Sequence, residues 1–175
     1  MMNKPLRILG IDPALRKTGY GIIESNGTFT RLIDFGVIVT EHADQARKLR
    51  SIYERLLSII QEYSPEHVAM ESIIFVQNRK TAIDMGAARG VALLLFSLKE
   101  LPVFEYSPRK IKMAATGKGS ARKEQVSFMI RALLAMDSLP PLDAADALAV
   151  ALTHVHHFWQ LPKAYDFLPK GNVNL

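Results

Sequence analysis

Four carboxylates stand where the chain could use them for chemistry. Asp12 closes the apolar run L-R-I-L-G-I-D-P, in which Pro13 stops what reads as a buried strand. Glu71 closes a second short apolar run, H-V-A-M. Asp143 and Asp146 lie one helical turn apart in the sequence, on one face of an Ala-rich helix. In an open α/β sheet the carboxyl ends of central strands are where ligands bind. Gathered carboxylates repel one another unless cations neutralise them, and oxygen ligands without Cys suit Mg²⁺ or Mn²⁺. Two such ions ~3.5–4 Å apart could stabilise both the attacking water and the leaving oxygen of a phosphodiester.

Taken singly, each acid has a plainer reading. Asp12 before a proline could be a turn residue. Glu71 could be a solvated strand end, and Asp143 and Asp146 partners of a helix dipole. Spacing alone does not bring the four together. The small residues Ala144, Ala145, Ala147 and Ala149 would let the last helix pack closely across the sheet.

The elements that must position these acids follow from pattern. A strand ending at Asp12, a second over Gly19–Glu24 and a third over Phe29–Thr40 form an antiparallel meander, with Asn26-Gly27 as a hairpin turn. Asp44–Tyr63 is an amphipathic helix. A strand over His67–Met70 runs into Glu71, and Asn78–Leu98 is a long helix with Gly86 and Gly90 four apart. Leu101–Tyr106 is the fifth strand. Ser107-Pro108 opens a helix, Arg122–Met136 is helical, and Leu142–Phe158 is the last helix. The order βββαβαβ followed by helices predicts an α/β fold, a mixed five-stranded sheet with helices on both faces.

Between Glu105 and Glu124 there is no acid, while Arg109, Lys110, Lys112, Lys118, Arg122 and Lys123 all fall there. This stretch, with its loop T-G-K-G-S, could follow a phosphate backbone, or be a solvated helix face. It is not a nucleotide-binding P-loop, because Lys112 stands where the first Gly should be. After Glu71 comes I-I-F-V-Q-N-R-K, read as an exposed loop with an apolar tip. Phe75 there could wedge between bases or be a core residue, and Asn78 and Arg79 follow it. His154, two turns beyond Asp146, could be a base or metal ligand, though a half-buried helix-end His favoured by the dipole is the simpler expectation.

The 175 residues suit one domain, expected over 1–161 with a loose tail over 162–175. Twenty-two Lys and Arg against 17 Asp and Glu give +5. The basic stretch accounts for that sign. No Cys is present, which excludes a disulfide frame, a thiolate metal site and a thiol nucleophile. The first residues lack a signal peptide's apolar core, so a cytoplasmic protein is expected. The longest apolar run, Gly90–Phe96, is too short to span a bilayer, so no membrane partner is expected.

In order along the chain stand I-L-G-I-D-P, T-G-Y-G, M-E-S, N-x-x-x-A-x-x-x-G-x-A-R-G-V, L-P-V-F-E-Y, G-x-G-S-A-x-K and D-A-A-D-A-L-A-x-A-x-T-H. Together they resemble the RuvC family of Holliday-junction resolvases, from Leu6 to His156. The resemblance implies an RNase H-like fold. It implies a homodimer that binds a four-way DNA junction and, with Mg²⁺, nicks two strands of like polarity to leave 5′-phosphate and 3′-hydroxyl ends. It puts the catalytic acids at Asp12, Glu71, Asp143 and Asp146, DNA-contacting lysines at Lys112 and Lys123, and the dimer helix at Asn78–Leu98. It also implies the RuvA/RuvB branch-migration complex as partner. Ala14 stands where the family usually has Gly, and Ile74 where many relatives carry an aromatic wedge, with Phe75 next to it. Other readings are a junction-binding scaffold without activity and an RNase H-like nuclease on another branched or hybrid substrate. An actin-like ATPase would need a second similar domain, for which the chain is too short.

Overall fold

The structure is a computed structural model and describes residues 4–73 and 78–160. Phe75 and the expected tail, 162–175, lie outside the described residues. Three strands come first: β1 (Leu6–Asp12), β2 (Lys17–Ser25) and β3 (Thr30–Val39). They pair as the expected antiparallel meander, β1 with β2 and β2 with β3. The hairpin turn holds Gly27 at φ 87, a conformation glycine adopts without strain.

Helix α1 (Gln45–Tyr63) opens on Asp44, whose carboxylate accepts from the backbone N–H groups of Ala46 and Arg47. Strand β4 (His67–Glu71) lies parallel to β1 on its other side. Helix α2 (Arg79–Leu98) is capped by the Asn78 side chain, which accepts from Thr81 N–H at 3.0 Å. Strand β5 (Val103–Tyr106) pairs parallel with β4. It starts two residues later than the pattern suggested, because Leu101-Pro102 forms its approach and contributes only the Pro102 carbonyl, to Val68 N–H. The sheet order is β3-β2-β1-β4-β5. Helix α3 (Pro108–Thr116) starts on the expected Ser-Pro pair. Helix α4 (Lys123–Leu133) stops short of Met136, and Ala135 turns the chain at φ 49. Helix α5 (Leu142–Gln160) completes the chain.

Two cores form, one on each face of the sheet. Leu9, Ile11, Val68 and Met70 point to the side covered by α1 and α2. Ile8, Ile23 and Ala69 point to the side covered by α3, α4 and α5. Side chains alternate along a strand, so Asp12 shares a face with Ile8 and Gly10, and Glu71 shares one with Ala69. Both acids therefore face α5.

Glycines in the strands let α5 settle there. A Cβ on Gly10 would run into the Ala147 carbonyl, one on Gly19 into the Asp143 carbonyl, and one on Gly21 into the Leu148 side chain. The helix thus rests with its backbone against the backbone of β1 and β2. Its alanines are one half of that fit, and these glycines, not singled out by pattern, are the other.

Helix α2 buries Ala88, Ala92, Leu95 and Phe96 and leaves Ile83, Leu94 and Leu98 at 67%, 58% and 63% exposure. A Cβ on Gly86 or Gly90 would meet nothing within 4 Å. The helix is long and apolar enough by length and composition to cross a membrane, which the short uninterrupted run Gly90–Phe96 did not suggest. Its Arg89 is nevertheless bound to the sheet, where the side chain pairs with Glu105 at 2.6 Å.

The packing gives a direct expectation. Gly10→Ala forces β1 and α5 apart at a backbone contact that cannot rotate away, and should cost roughly 2–4 kcal/mol. Urea unfolding of the variant beside the wild type measures it.

Candidate nucleic-acid cleavage site

Asp12, at the end of β1, is opposite Gly19 in the β1–β2 ladder, and Gly19 lies under the Asp143 carbonyl. Contact with the glycines therefore brings the first turn of α5 over the end of β1. Asp146 follows one turn on and faces the same pocket.

Electrostatics shows which charges meet. Burial pushes the Asp12 carboxyl up to about 7, helped by the negative charges of Asp146, Glu71 and Asp143 and opposed by Lys123. Burial also raises Glu71, as does Asp146, while Lys123 and Lys112 oppose the rise. Asp12 thus lies in the field of the other three acids, and Glu71 in that of Asp146. Of the three, Asp143 bears on Asp12 least.

Lys123, the first residue of α4, lies on this cluster, with its Nζ 2.7 Å from Asp146 Oδ2. The carboxylate beside it holds the ammonium above its ordinary range. Among the described residues, no group of three or more His, Cys, Asp or Glu side chains is already drawn in around a metal position. The donor set is all oxygen, with a buried acid that needs a positive neighbour, and it fits a hard divalent cation.

The basic stretch divides in two. Lys112 on α3 and Lys123 reach the acids. Lys118 and Arg122 stand exposed on the loop between α3 and α4. That loop begins at Gly117, with φ 73, and the Thr116 hydroxyl donates to the Lys118 carbonyl at 3.1 Å and accepts from Lys118 N–H at 3.2 Å. Asn78 and Arg79 are exposed at the start of α2. Arg79 belongs to the helix and not to the preceding loop, and the Asn78 side-chain oxygen Oδ1 is engaged as a cap.

His154 departs from the expectation of a half-buried helix end. It is 1% exposed, and both ring nitrogens are bonded, one to His67 Nδ1 at 2.9 Å and one to the Tyr106 hydroxyl at 2.7 Å. Burial, with His67 and His157 nearby, holds it down to about 3, so it is neutral and no partner of the dipole. Eight residues of helix put it about 12 Å along the axis from Asp146, too far to serve the acids.

Pattern reading passed over two contributors. The Thr18 hydroxyl, fully buried, donates to the Ala14 carbonyl at 2.8 Å and accepts from Ala14 N–H at 3.2 Å, which closes the turn after Asp12. Arg89 donates to the Glu71 carbonyl at 2.9 Å. The motif A-R-G-V contains Arg89, but nothing in its spacing says where the guanidinium goes.

A carboxyl raised from 3.8 to about 7 favours the protonated folded state. Its stabilising effect is complete below the unfolded value and lost as pH rises through the folded one. Buried neutral His154 acts in the opposite sense, because the unfolded state takes up its proton below about 6.5. Comparison with Asp12→Asn separates the two. In EDTA the variant should melt above the wild type at pH 8, by roughly 5 °C, and gain little at pH 4. Millimolar Mg²⁺ should narrow the gap at pH 8 by stabilising the wild type.

Comparison with known proteins agrees with this geometry. The family model described as "Crossover junction endodeoxyribonuclease RuvC" matches residues 8–154. A protein of that description from Pelotomaculum thermopropionicum is 44% identical over 156 residues, spanning 87% of this chain and 95% of the relative. One from Hydrogenovibrio crunogenus is 46% identical over 148 residues, or 85% and 86% of the two chains. Among solved structures, Thermus thermophilus RuvC in complex with a Holliday junction substrate superimposes with a TM-score of 0.82 at 32% identity, covering 88% of this chain and 95% of that one. The yeast mitochondrial Holliday junction resolvase Ydc2 shares the fold, with a TM-score of 0.64 at 13% identity. The mixed sheet with its two helical layers is RNase H-like, and a nuclease family that works with divalent metal accounts for an oxygen-only cluster under lysines. The chain belongs to the RuvC family of crossover junction endodeoxyribonucleases.

Proposed function

We propose that the protein is a structure-selective endonuclease that resolves four-way DNA junctions by paired, symmetric nicks in recombination and repair. The observation that carries this reading is the pocket where Asp146, Glu71 and Asp143 bear on Asp12, with Lys123 bonded to Asp146 and Lys112 opposing the charge at Glu71. Asp12, Glu71, Asp143 and Asp146 would hold two Mg²⁺, for which Mn²⁺ can substitute. The bound ions would lower the pKa of the attacking water and stabilise the departing 3′-oxygen.

The protein's own groups do the rest. The charges of the other three acids all bear on Asp12, so it is the common anchor of the set. Lys123 neutralises Asp146 when the pocket holds no cation, and on release its ammonium can reach a backbone phosphate. Lys118 and Arg122, with Lys112 nearer the acids, line one side of a path for the DNA backbone. Such contacts weaken steeply with salt. Phe75, which falls between Glu71 and the Asn78-Arg79 pair in the sequence, would meet the opened centre of the junction.

The outer side of α2 supports a homodimer. Ile83, Leu94 and Leu98 are exposed, and Gly86 and Gly90 leave room for a second helix to approach closely. A two-fold axis there would set two active sites symmetrically on a junction and direct them to strands of like polarity. A helix packed in this way is kept from lipid, so the apolar length of α2 needs no membrane. We assign the protein to the cytoplasm, acting with the RuvA/RuvB branch-migration complex.

Gel assays on labelled synthetic junctions test the reading. Asp12→Asn and Asp146→Asn should retain junction binding and lose nicking, and EDTA should stop the wild type. Unlabelled junction should compete strongly, and linear duplex or an RNA·DNA hybrid weakly. Undiminished cutting by either variant rejects the catalytic role of the acids.

A further inference from the structure

The peptide unit joining Glu71 to Ser72 is held from both sides. Its carbonyl accepts from Arg89 Nη1 at 2.9 Å, and its N–H donates to the Tyr106 carbonyl at 2.9 Å. The second nitrogen of Arg89 lies 2.6 Å from Glu105 Oε1, on the strand next to Glu71. The Arg89 side chain is only 11% exposed. In the β4–β5 ladder Met70 pairs with Glu105 and Glu71 with Tyr106. Glu105 therefore shares the α2 side of the sheet with Met70, while the Glu71 side chain turns to the α5 side. Arg89 reaches the strand end from the side opposite to the acids it would serve.

We propose that Arg89 is a positioning residue for the metal-binding carboxylates: its fork fixes the last peptide of β4, and so aims Glu71 at Asp12 and Asp146. The inference rests on the nuclease reading and extends it. Glu71 is drawn towards two like charges, and side-chain repulsion alone would turn it outward. Beyond Ser72 the chain leaves the sheet, so the ladder no longer restrains it. A planar guanidinium can bond the carbonyl and the Glu105 carboxylate at once, which an ammonium cannot do with the same geometry. Groups that orient metal ligands without touching the metal typically govern affinity by 10–100-fold.

The test uses the full-length protein. Mn²⁺ binding is read without DNA from the EPR signal of free Mn²⁺, and nicking of a synthetic junction is followed against Mg²⁺ concentration. Arg89→Met should weaken Mn²⁺ binding roughly tenfold and raise the half-saturating Mg²⁺ by a similar factor. The rate at saturating Mg²⁺ should return to within about threefold of wild type. Exchange of the Ser72 amide hydrogen should quicken. Arg89→Lys, which keeps a charge opposite Glu105, should show the same changes at smaller size and serves if the Met variant fails to fold. A purely structural role would depress the rate alike at every Mg²⁺ concentration and leave the half-saturation point in place. Wild-type metal affinity and Ser72 exchange in both variants overturn the positioning role alone. Failure of the wild type to bind Mn²⁺ or to nick overturns the nuclease reading, and the positioning role with it.

Discussion

The backbone of α5 lies against the backbone of β1 and β2, and the site depends on that approach. At an ordinary helix–sheet separation, side chains would fill the gap, and the first turn of α5 would stand away from the strand ends. Here Gly10, Gly19 and Gly21 remove the side chains on one side, and Ala144, Ala147 and Ala151 keep them small on the other. The result sets Asp143 and Asp146 over Asp12. Burial of small residues contributes less to stability than burial of large ones, so much of the hydrophobic stabilisation must come from elsewhere. The opposite face supplies it, with Leu9, Ile11, Ile52, Leu56, Met70, Leu95 and Phe96 fully buried.

The same approach creates an electrostatic conflict. Carboxylates from three elements share a partly buried space, and the protein meets this with cations of its own. Lys123 bonds Asp146, and Lys112 lies within the field of Glu71. A lysine is a compact, movable charge, suited to a place that a stronger cation will take. Among the described residues no lysine is bonded to Asp12, which bears the conflict as a raised proton affinity that Lys123 only partly opposes. Strain of this kind is unfavourable for folding and useful for binding, since an ion that enters relieves it.

Much of this arrangement was legible in the sequence, because strand and helix patterns are local. Asp12 and Glu71 each end an apolar run, which places each at a strand end; that both face the same side follows only from the register of β1 with β4. Asp143 and Asp146 share a face by helical spacing alone. What local pattern could not carry was distance between elements. The glycines of β1 and β2 could have been read as breakers or bulges, and their purpose appears only when α5 is laid across them. His154 shows the same limit. Its place near a helix end suggested a half-exposed dipole partner. It is buried because His67 and Tyr106, 87 and 48 residues away, supply hydrogen-bond partners that make a neutral imidazole tolerable inside. The ends of α4 and β5 moved by a few residues for local reasons, a left-handed Ala135 and a proline approach.

Arg89 joins these themes from the other side of the sheet. Two layers of helices flank β4, and both act on its last residue: α5 brings the charges that Glu71 must face, and α2 holds the peptide from which Glu71 extends. The two actions oppose each other along one bond, since repulsion pushes the carboxylate outward and the guanidinium keeps its backbone fixed. A strand end held by only one layer would yield to that repulsion, and the pocket would open before an ion could enter. Helix α2 also carries the exposed Ile83, Leu94 and Leu98, so whatever covers those residues bears on the helix that grips the strand end. The sheet therefore does more than carry the acids: because it is covered on both faces, a charged pocket on one side can be braced from the other.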